Sequence, residues 1–142
     1  SDLDWLEGTA GYGGPPKKDR SIENRPLGID GKRYEKGIGT HATSKLVYAI
    51  EPEWKRFVSV CGIDDEMGSR DVCSVIFRVS FDGKAAAESV VIKVQETWHF
   101  DVAIPAGTER MTLEVLEADS GMNSDHADWC NAGFITKKKS KK

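Results

Sequence analysis

The chain has 142 residues, which suits one domain with its own core and leaves little room for a second. Its formal net charge of −3 disfavours binding to nucleic acid or to an anionic membrane surface, because both partners favour a basic protein. No apolar run approaches the roughly 18 residues of a membrane-spanning helix, and no signal peptide is present.

Apolar residues alternate with polar ones from the middle of the chain onward. A period of two is typical of strands that bury one face, so the pattern predicts many short antiparallel strands. The alternating positions are, in chain order, Leu46, Tyr48 and Ile50; Phe57, Ser59 and Cys61; Val75, Phe77, Val79 and Phe81; Val90, Ile92 and Val94; Trp98, Phe100, Val102 and Ile104; and Met111, Leu113 and Val115.

Turn residues separate these predicted strands. Asp82-Gly83 predicts a hairpin turn, and Asp30-Gly31 precedes a short predicted strand over residues 32–34. Residues 8–28 are rich in glycine and proline and predict mainly loop, while a short turn is expected near residues 51–54. No window carries a helical period. The chain therefore predicts an all-β, antiparallel β-sandwich over residues 1–136, followed by a basic disordered tail over residues 137–142.

The three cysteines, Cys61, Cys73 and Cys130, are odd in number, so they cannot all pair within the chain. No C-x-x-C motif is present, so neither a zinc ribbon nor a redox motif is predicted. We expect buried thiols, with a Cys61–Cys73 bridge as the alternative.

Polar segments interrupt the apolar pattern and supply the groups that sugars require. An aromatic ring can pack against the C–H face of a sugar, and carboxylates and imidazoles can bond its hydroxyls. His41 has an alternative role in ordering a turn, and residues 64–66 have one in ending a strand. The candidate carbohydrate-binding residues are Trp5, Tyr12, His41, Asp64, Asp65, Glu66 and His126.

Calcium is the cofactor that the acidic residues could hold, since it prefers oxygen ligands. Asp19, Asp125 and Asp128 are the candidate ligands for a structural Ca²⁺, although no EF-hand spacing is present. The histidines show no paired spacing, so no catalytic zinc site is predicted.

Several short motifs follow one another along the chain: residues 1–5, Gly11-Tyr12-Gly13 with Asp19 and Ser21, residues 34–42, Ser44, residues 62–66, Phe81-Asp82-Gly83 and residues 125–129. In their order and spacing, these motifs resemble those of the NPCBM family, the novel putative carbohydrate-binding modules. The resemblance implies a jelly-roll sandwich of the galactose-binding type, structural calcium, and binding to glycans that end in galactose-type sugars. It also implies an attached glycoside hydrolase and an extracellular or cell-envelope location. In two places the chain differs from the family, with Tyr12 where tryptophan is usual and Cys130-Asn131 after Trp129.

The sequence thus favours a monomeric, non-catalytic module that binds glycans. Two alternatives remain open at this point. One is a protein-interaction sandwich without a sugar site, because one fold can serve many functions. The other is a small glycosidase that uses residues 64–66 with His41, since glycosidases need two carboxylates.

Overall fold

A computed structural model describes residues 3–11, 14–67, 74–118 and 126–136. These residues form strands and one short 3₁₀ turn, Asp65–Met67, and no α-helix occurs in the described ranges. The strands are β1 (Glu7–Thr9), β2 (Lys17–Lys18), β3 (Leu27–Ile29), β4 (Lys32–Tyr34), β5 (Gly37–His41), β6 (Ser44–Ala49), β7 (Arg56–Ile63), β8 (Ser74–Phe81), β9 (Lys84–Glu88), β10 (Ile92–Lys93), β11 (Trp98–Ala103), β12 (Arg110–Glu117) and β13 (His126–Ile135).

The strands form two antiparallel sheets and a separate hairpin. Sheet A has the order β1-β6-β12-β8-β10, with β9 also paired to β8, and sheet B has the order β11-β7-β13-β5-β2. The hairpin consists of β3 and β4. The predicted antiparallel β-sandwich with little helix is confirmed. In the described part of the chain, no helix is long and apolar enough to span a membrane.

The main core lies between the two sheets and contains the alternating residues that the sequence indicated. Trp129 is completely buried and packs edge-on against Phe77, with the ring centroids 5.1 Å apart, and stacks on Phe100 at 5.8 Å. Aromatic pairs of this kind contribute about 0.5–1.5 kcal/mol beyond the area they bury. Trp98 is partly buried and packs against the same core, as predicted.

The prediction for Val90 is wrong. Its side chain is 61% exposed, and the strand in this segment extends only over Ile92–Lys93. Residues 90 and 91 precede that strand and pair with no neighbouring strand, so alternation there does not set which face is buried. The expected turn near residues 51–54 is present, with the amide of Trp54 donating to the carbonyl of Glu51.

A second, smaller apolar cluster lies on the outer face of sheet B. It consists of Leu27 and Ile29 from β3 together with Cys130 from β13, all nearly or fully buried. These contacts place the β3–β4 hairpin across the outside of the sheet. The hairpin therefore covers one end of sheet B and creates a buried polar region beneath it.

Of the two predictions for the cysteines, the buried thiols are confirmed and the disulfide bridge is wrong. Cys61 and Cys130 are free buried thiols, as expected, and burial raises the pKa of both. A Cys61–Cys73 bridge is excluded because Cys61 is free, and Cys73 itself lies outside the described residues.

Candidate functional site

Strand alternation on β13 divides its side chains between the core and the outer face of sheet B. Ala127 and Trp129 enter the main core, so His126 and Asp128 lie on the opposite face. His126 is paired in register with His41 of β5, and Asp128 lies opposite Gly62 of β7. The sheet thus gathers His41, His126 and Asp128 at the end that the hairpin covers.

His126 lies between two glutamates from other parts of the chain. Its Nδ1 lies 2.7 Å from Oε2 of Glu66, and its Nε2 lies 3.9 Å from Oε2 of Glu23. Glu66 also accepts a hydrogen bond from the hydroxyl of Ser21 at 2.6 Å. Because a carboxylate can only accept, the Nδ1–Glu66 contact requires a proton on Nδ1.

The charge state of Glu66 follows from those contacts. Burial opposes ionisation of Glu66, but the hydrogen bonds from His126 and Ser21 outweigh burial and lower the pKa of Glu66. The side chains of His126 and Glu66 are only 5% and 3% exposed. The imidazole is therefore fixed in orientation by a charged and buried carboxylate.

His41 lies beside His126, with the ring centroids 5.2 Å apart. Its Nδ1 is 2.6 Å from the carbonyl oxygen of Ala42, so Nδ1 carries the proton and donates it. Burial lowers the pKa of His41, and the imidazole is 3% exposed. His41 thus lies beneath the surface and orders the end of β5.

Asp64 and Asp128 form a buried pair of carboxyl groups. Asp128 is fully buried, and neither carboxylate oxygen has a hydrogen-bond donor among the described residues. Asp64 is 2% exposed and accepts from the amides of Glu66 at 2.9 Å and Gly28 at 3.4 Å. Two ionised carboxylates offer acceptors only, so a hydrogen bond between Asp64 and Asp128 requires a proton on one of them. Burial raises the pKa of both groups, that of Asp128 well above its usual value.

Asp65 is exposed and binds the turn of the β3–β4 hairpin. Its carboxylate accepts from the amide of Asp30 at 2.9 Å and from the amide of Gly31 at 2.8 Å. Both turn residues have positive φ, 50° and 83°, as a tight hairpin turn requires. Adjacent carboxylates at 64 and 65 therefore have separate structural partners.

An open hollow of about 290 Å³ lies between this hairpin and the end of β7. Asp65 and Glu66 contribute acceptors to its wall, while Arg25 and Lys32 contribute charged donors. Arg25, Lys32 and Asp65 are exposed, so a ligand in the hollow can reach them. Sequence reasoning missed Arg25, Lys32 and Glu23. The Asp30-Gly31 signal predicted the hairpin, but no local pattern showed which surface the hairpin would cover.

Trp5 and Tyr12 are the two aromatic residues predicted to pack against a sugar, and the structure describes only Trp5. Trp5 is partly buried and packs against the main core, and the Nζ atom of Lys18 lies 5.5 Å from the centroid of its ring. Its edge is so close to Gly8 that an added Cβ would lie 2.5 Å from Nε1. Trp5 is thus placed apart from the hollow, whose wall does not include it. Tyr12 lies outside the described residues.

The predicted calcium ligands do not form one set within the described residues. Asp19 accepts from the amide of Gly37 at 3.0 Å and lies 3.9 Å from Nζ of Lys36. Asp128 faces Asp64 beneath the hairpin, and Asp125 lies outside the described ranges. Structural calcium at these residues therefore stays a prediction.

Comparison with known proteins adds to this geometry. The model of the NPCBM/NEW2 domain family matches residues 1–135. The chain is 31% identical to a putative endo-alpha-N-acetylgalactosaminidase from Renibacterium salmoninarum, over 95% of this chain and 9% of that protein. It is 35% identical to alpha-1,3-galactosidase B from Akkermansia muciniphila, over 87% of this chain and 16% of that protein. The chain thus spans only a small part of these curated relatives.

Solved structures show the same fold. A CBM51 domain from Clostridium perfringens GH95, solved with methyl-galactose, superposes with a TM-score of 0.85 and 31% identity, over 94% of this chain and 96% of that chain. A CBM51-2 and INT structure from Clostridium perfringens ZmpB, solved with GlcNAc, gives a TM-score of 0.88 and 34% identity over 94% of this chain and 30% of that chain. Because the family model covers nearly the whole chain, this protein belongs to the NPCBM/NEW2 domain family.

Proposed function

We propose that this chain is a non-catalytic carbohydrate-binding module that recognises galactose-type sugars at the ends of glycans. One observation carries the proposal: a CBM51 domain that this chain matches over 96% of its length was solved with methyl-galactose. The related domain solved with GlcNAc makes N-acetylglucosamine the first competing ligand to compare.

The hollow beside the β3–β4 hairpin is the sugar site that the geometry favours. Its wall includes Arg25, whose guanidinium is a donor, and Asp65, whose carboxylate is an acceptor. It also includes Lys32, whose Nζ lies 5.3 Å from the centroid of the Tyr34 ring. Sugar hydroxyls both donate and accept, so a mixed wall of this kind can bond several of them. The buried side chains of His41 and Asp64 act beneath the surface by holding the hollow in shape.

Binding at this site should be weak. The hollow is open and its polar groups are partly hydrated, so a single sugar displaces water without gaining many more bonds than it loses. In the full-length protein, tethering to a glycoside hydrolase at an extracellular or cell-envelope location would raise the local concentration of substrate. The two curated glycosidases that contain a similar segment support this arrangement.

Structural calcium is part of the proposal at a site that includes Asp19. A bound Ca²⁺ would supply fixed positive charge to a loop and would take oxygen ligands. The contribution of this chain is the Asp19 carboxylate, which already orders the start of β5 through Gly37.

A glycan array probed with the purified domain tests the proposal, once with calcium and once with a chelator. We expect selective binding to glycans that end in galactose-type sugars. Loss of binding with the chelator would support the calcium site. A folded protein that binds no glycan would contradict the proposed function and favour a protein-interaction role.

A further inference from the structure

The cluster of Glu23, Glu66 and His126 has the composition of a metal site. One carboxylate oxygen of each glutamate and one ring nitrogen of His126 all lie within 4.8 Å of one another. The three residues come from distant parts of the sequence, so no spacing motif predicts the cluster. A ring nitrogen with two carboxylates suits a first-row divalent transition ion better than calcium, which prefers oxygen ligands alone.

The buried part of the cluster is already organised. The Nδ1–H of His126 donates to Glu66 at 2.7 Å, which leaves the lone pair on Nε2. A carboxylate that orients a histidine in this way is the usual support for a metal-bound imidazole. Nε2 lies on the side of Glu23, whose Oε2 is 3.9 Å away.

Glu23 is exposed enough to contact an ion that arrives from solution. The side chain of Glu23 is 48% exposed, whereas those of His126 and Glu66 are 5% and 3% exposed. Two ligands bonded to one ion at about 2.0–2.2 Å lie roughly 3–3.5 Å apart, so Glu23 needs to move by less than about 1 Å. Both oxygens of Glu66 accept hydrogen bonds, one from Ser21 and one from His126, so this carboxylate stays on the Nδ1 side of the ring and supports it.

We propose that His126 and Glu23 bind a divalent transition ion such as Zn²⁺, with Glu66 holding the imidazole in place. Nε2 of His126 and the carboxylate of Glu23 are the protein ligands, Glu66 supports the imidazole through Nδ1–H, and water occupies the remaining positions. The site is separate from the proposed calcium ligand Asp19. It does not depend on whether the protein binds sugar.

Isothermal titration with ZnCl₂ tests the site in the chelator-treated domain. We expect saturable binding of one ion and an affinity at least about tenfold lower in Glu23→Gln, because the amide is a much poorer ligand. Glu23 is exposed, so this variant should fold. Glu53→Gln changes an exposed glutamate in the turn before β7 and should bind Zn²⁺ as the wild type does.

Paramagnetic Co²⁺ locates the ion through the three histidines of the chain. The signals of His126 and its neighbour His41 should broaden first, whereas those of His99 on β11, two strands away from β13, should stay sharp. Absence of saturable Zn²⁺ binding, unchanged affinity in Glu23→Gln, or equal broadening of all three histidines would overturn the proposal. A sugar titration of the metal-free protein separates this result from the outcome for glycan binding.

Discussion

At the scale of single residues, the buried pair Asp64 and Asp128 is the most unusual feature. Asp128 is completely buried, its carboxylate has no hydrogen-bond donor in the part of the chain that the structure describes, and burial raises its pKa well above the ordinary 3.8. An acid of this kind keeps its proton when folded and releases it when unfolded, so the folded state binds more protons. The contribution of the pair to stability must therefore fall as pH rises above about 4, towards the raised pKa.

Asp128→Asn should weaken this pH dependence. The amide can donate to Asp64 as a protonated carboxyl does, and it has no proton to lose. We expect the melting temperature of the variant to change less than that of the wild type from about pH 5 to about pH 8, and to be at least as high at the upper end. Asp101→Asn, at an exposed partner of Arg56, is the control. Parallel curves for wild type and Asp128→Asn would show that the pair does not hold a proton.

At the scale of elements, the β3–β4 hairpin depends on contacts that do not belong to its own strands. Asp65 accepts hydrogen bonds from the amides of Asp30 and Gly31 at the hairpin turn, and both hydrogen bonds are exposed to solvent. The hairpin strands pair over only three residues each, so these two bonds add to the packing of Leu27 and Ile29 in fixing its position.

Asp65→Ala should loosen the hairpin without unfolding the sandwich. We expect a loss of about 1 kcal/mol in the free energy of unfolding, since exposed hydrogen bonds contribute modestly. Hydrogen exchange should accelerate at the amides of Asp30 and Gly31. Asp101→Ala removes an exposed ion pair elsewhere in sheet B and should leave those amides unchanged. Equal exchange rates in Asp65→Ala and wild type would contradict this role.

A glycine in the β8–β9 turn and a glycine in β13 form a matched pair for testing backbone conformation. Gly83 has a φ of 85°, while Gly133 has no such restriction, and an added Cβ would meet no atom within 4 Å at either position. Gly83→Ala should therefore cost about 1 kcal/mol through backbone conformation alone, and Gly133→Ala should cost much less. Urea unfolding of both variants measures the difference, and equal stabilities would refute the account.

At the scale of the whole molecule, the sequence predicts the sandwich better than the site. Alternation over Val75, Phe77 and Val79 is local, and it reports burial directly because the period of a strand is two. The polar network is not local: Glu66 meets His126 across 60 positions and Ser21 across 45. Chemistry therefore identified His126 and Glu66 as candidates, but only the packing of the hairpin shows that they are buried.

The same distinction explains the residues that sequence reasoning missed. Arg25 and Lys32 are ordinary exposed cations in sequence, and only the hairpin over sheet B brings them to one hollow with Asp65. Trp5 had the composition of a platform, yet its contacts with Gly8 and the core place it elsewhere.

The central claim is that the hollow binds a galactose-type sugar, and isothermal titration with methyl-galactoside tests it most directly. We predict weak, saturable binding by the wild type and about tenfold weaker binding by Arg25→Gln, equivalent to about 1.4 kcal/mol. Arg110→Gln, an exposed arginine on β12 of sheet A, should bind as the wild type does. A folded wild type that gives no binding heat, or equal affinities in wild type and Arg25→Gln, would contradict the account.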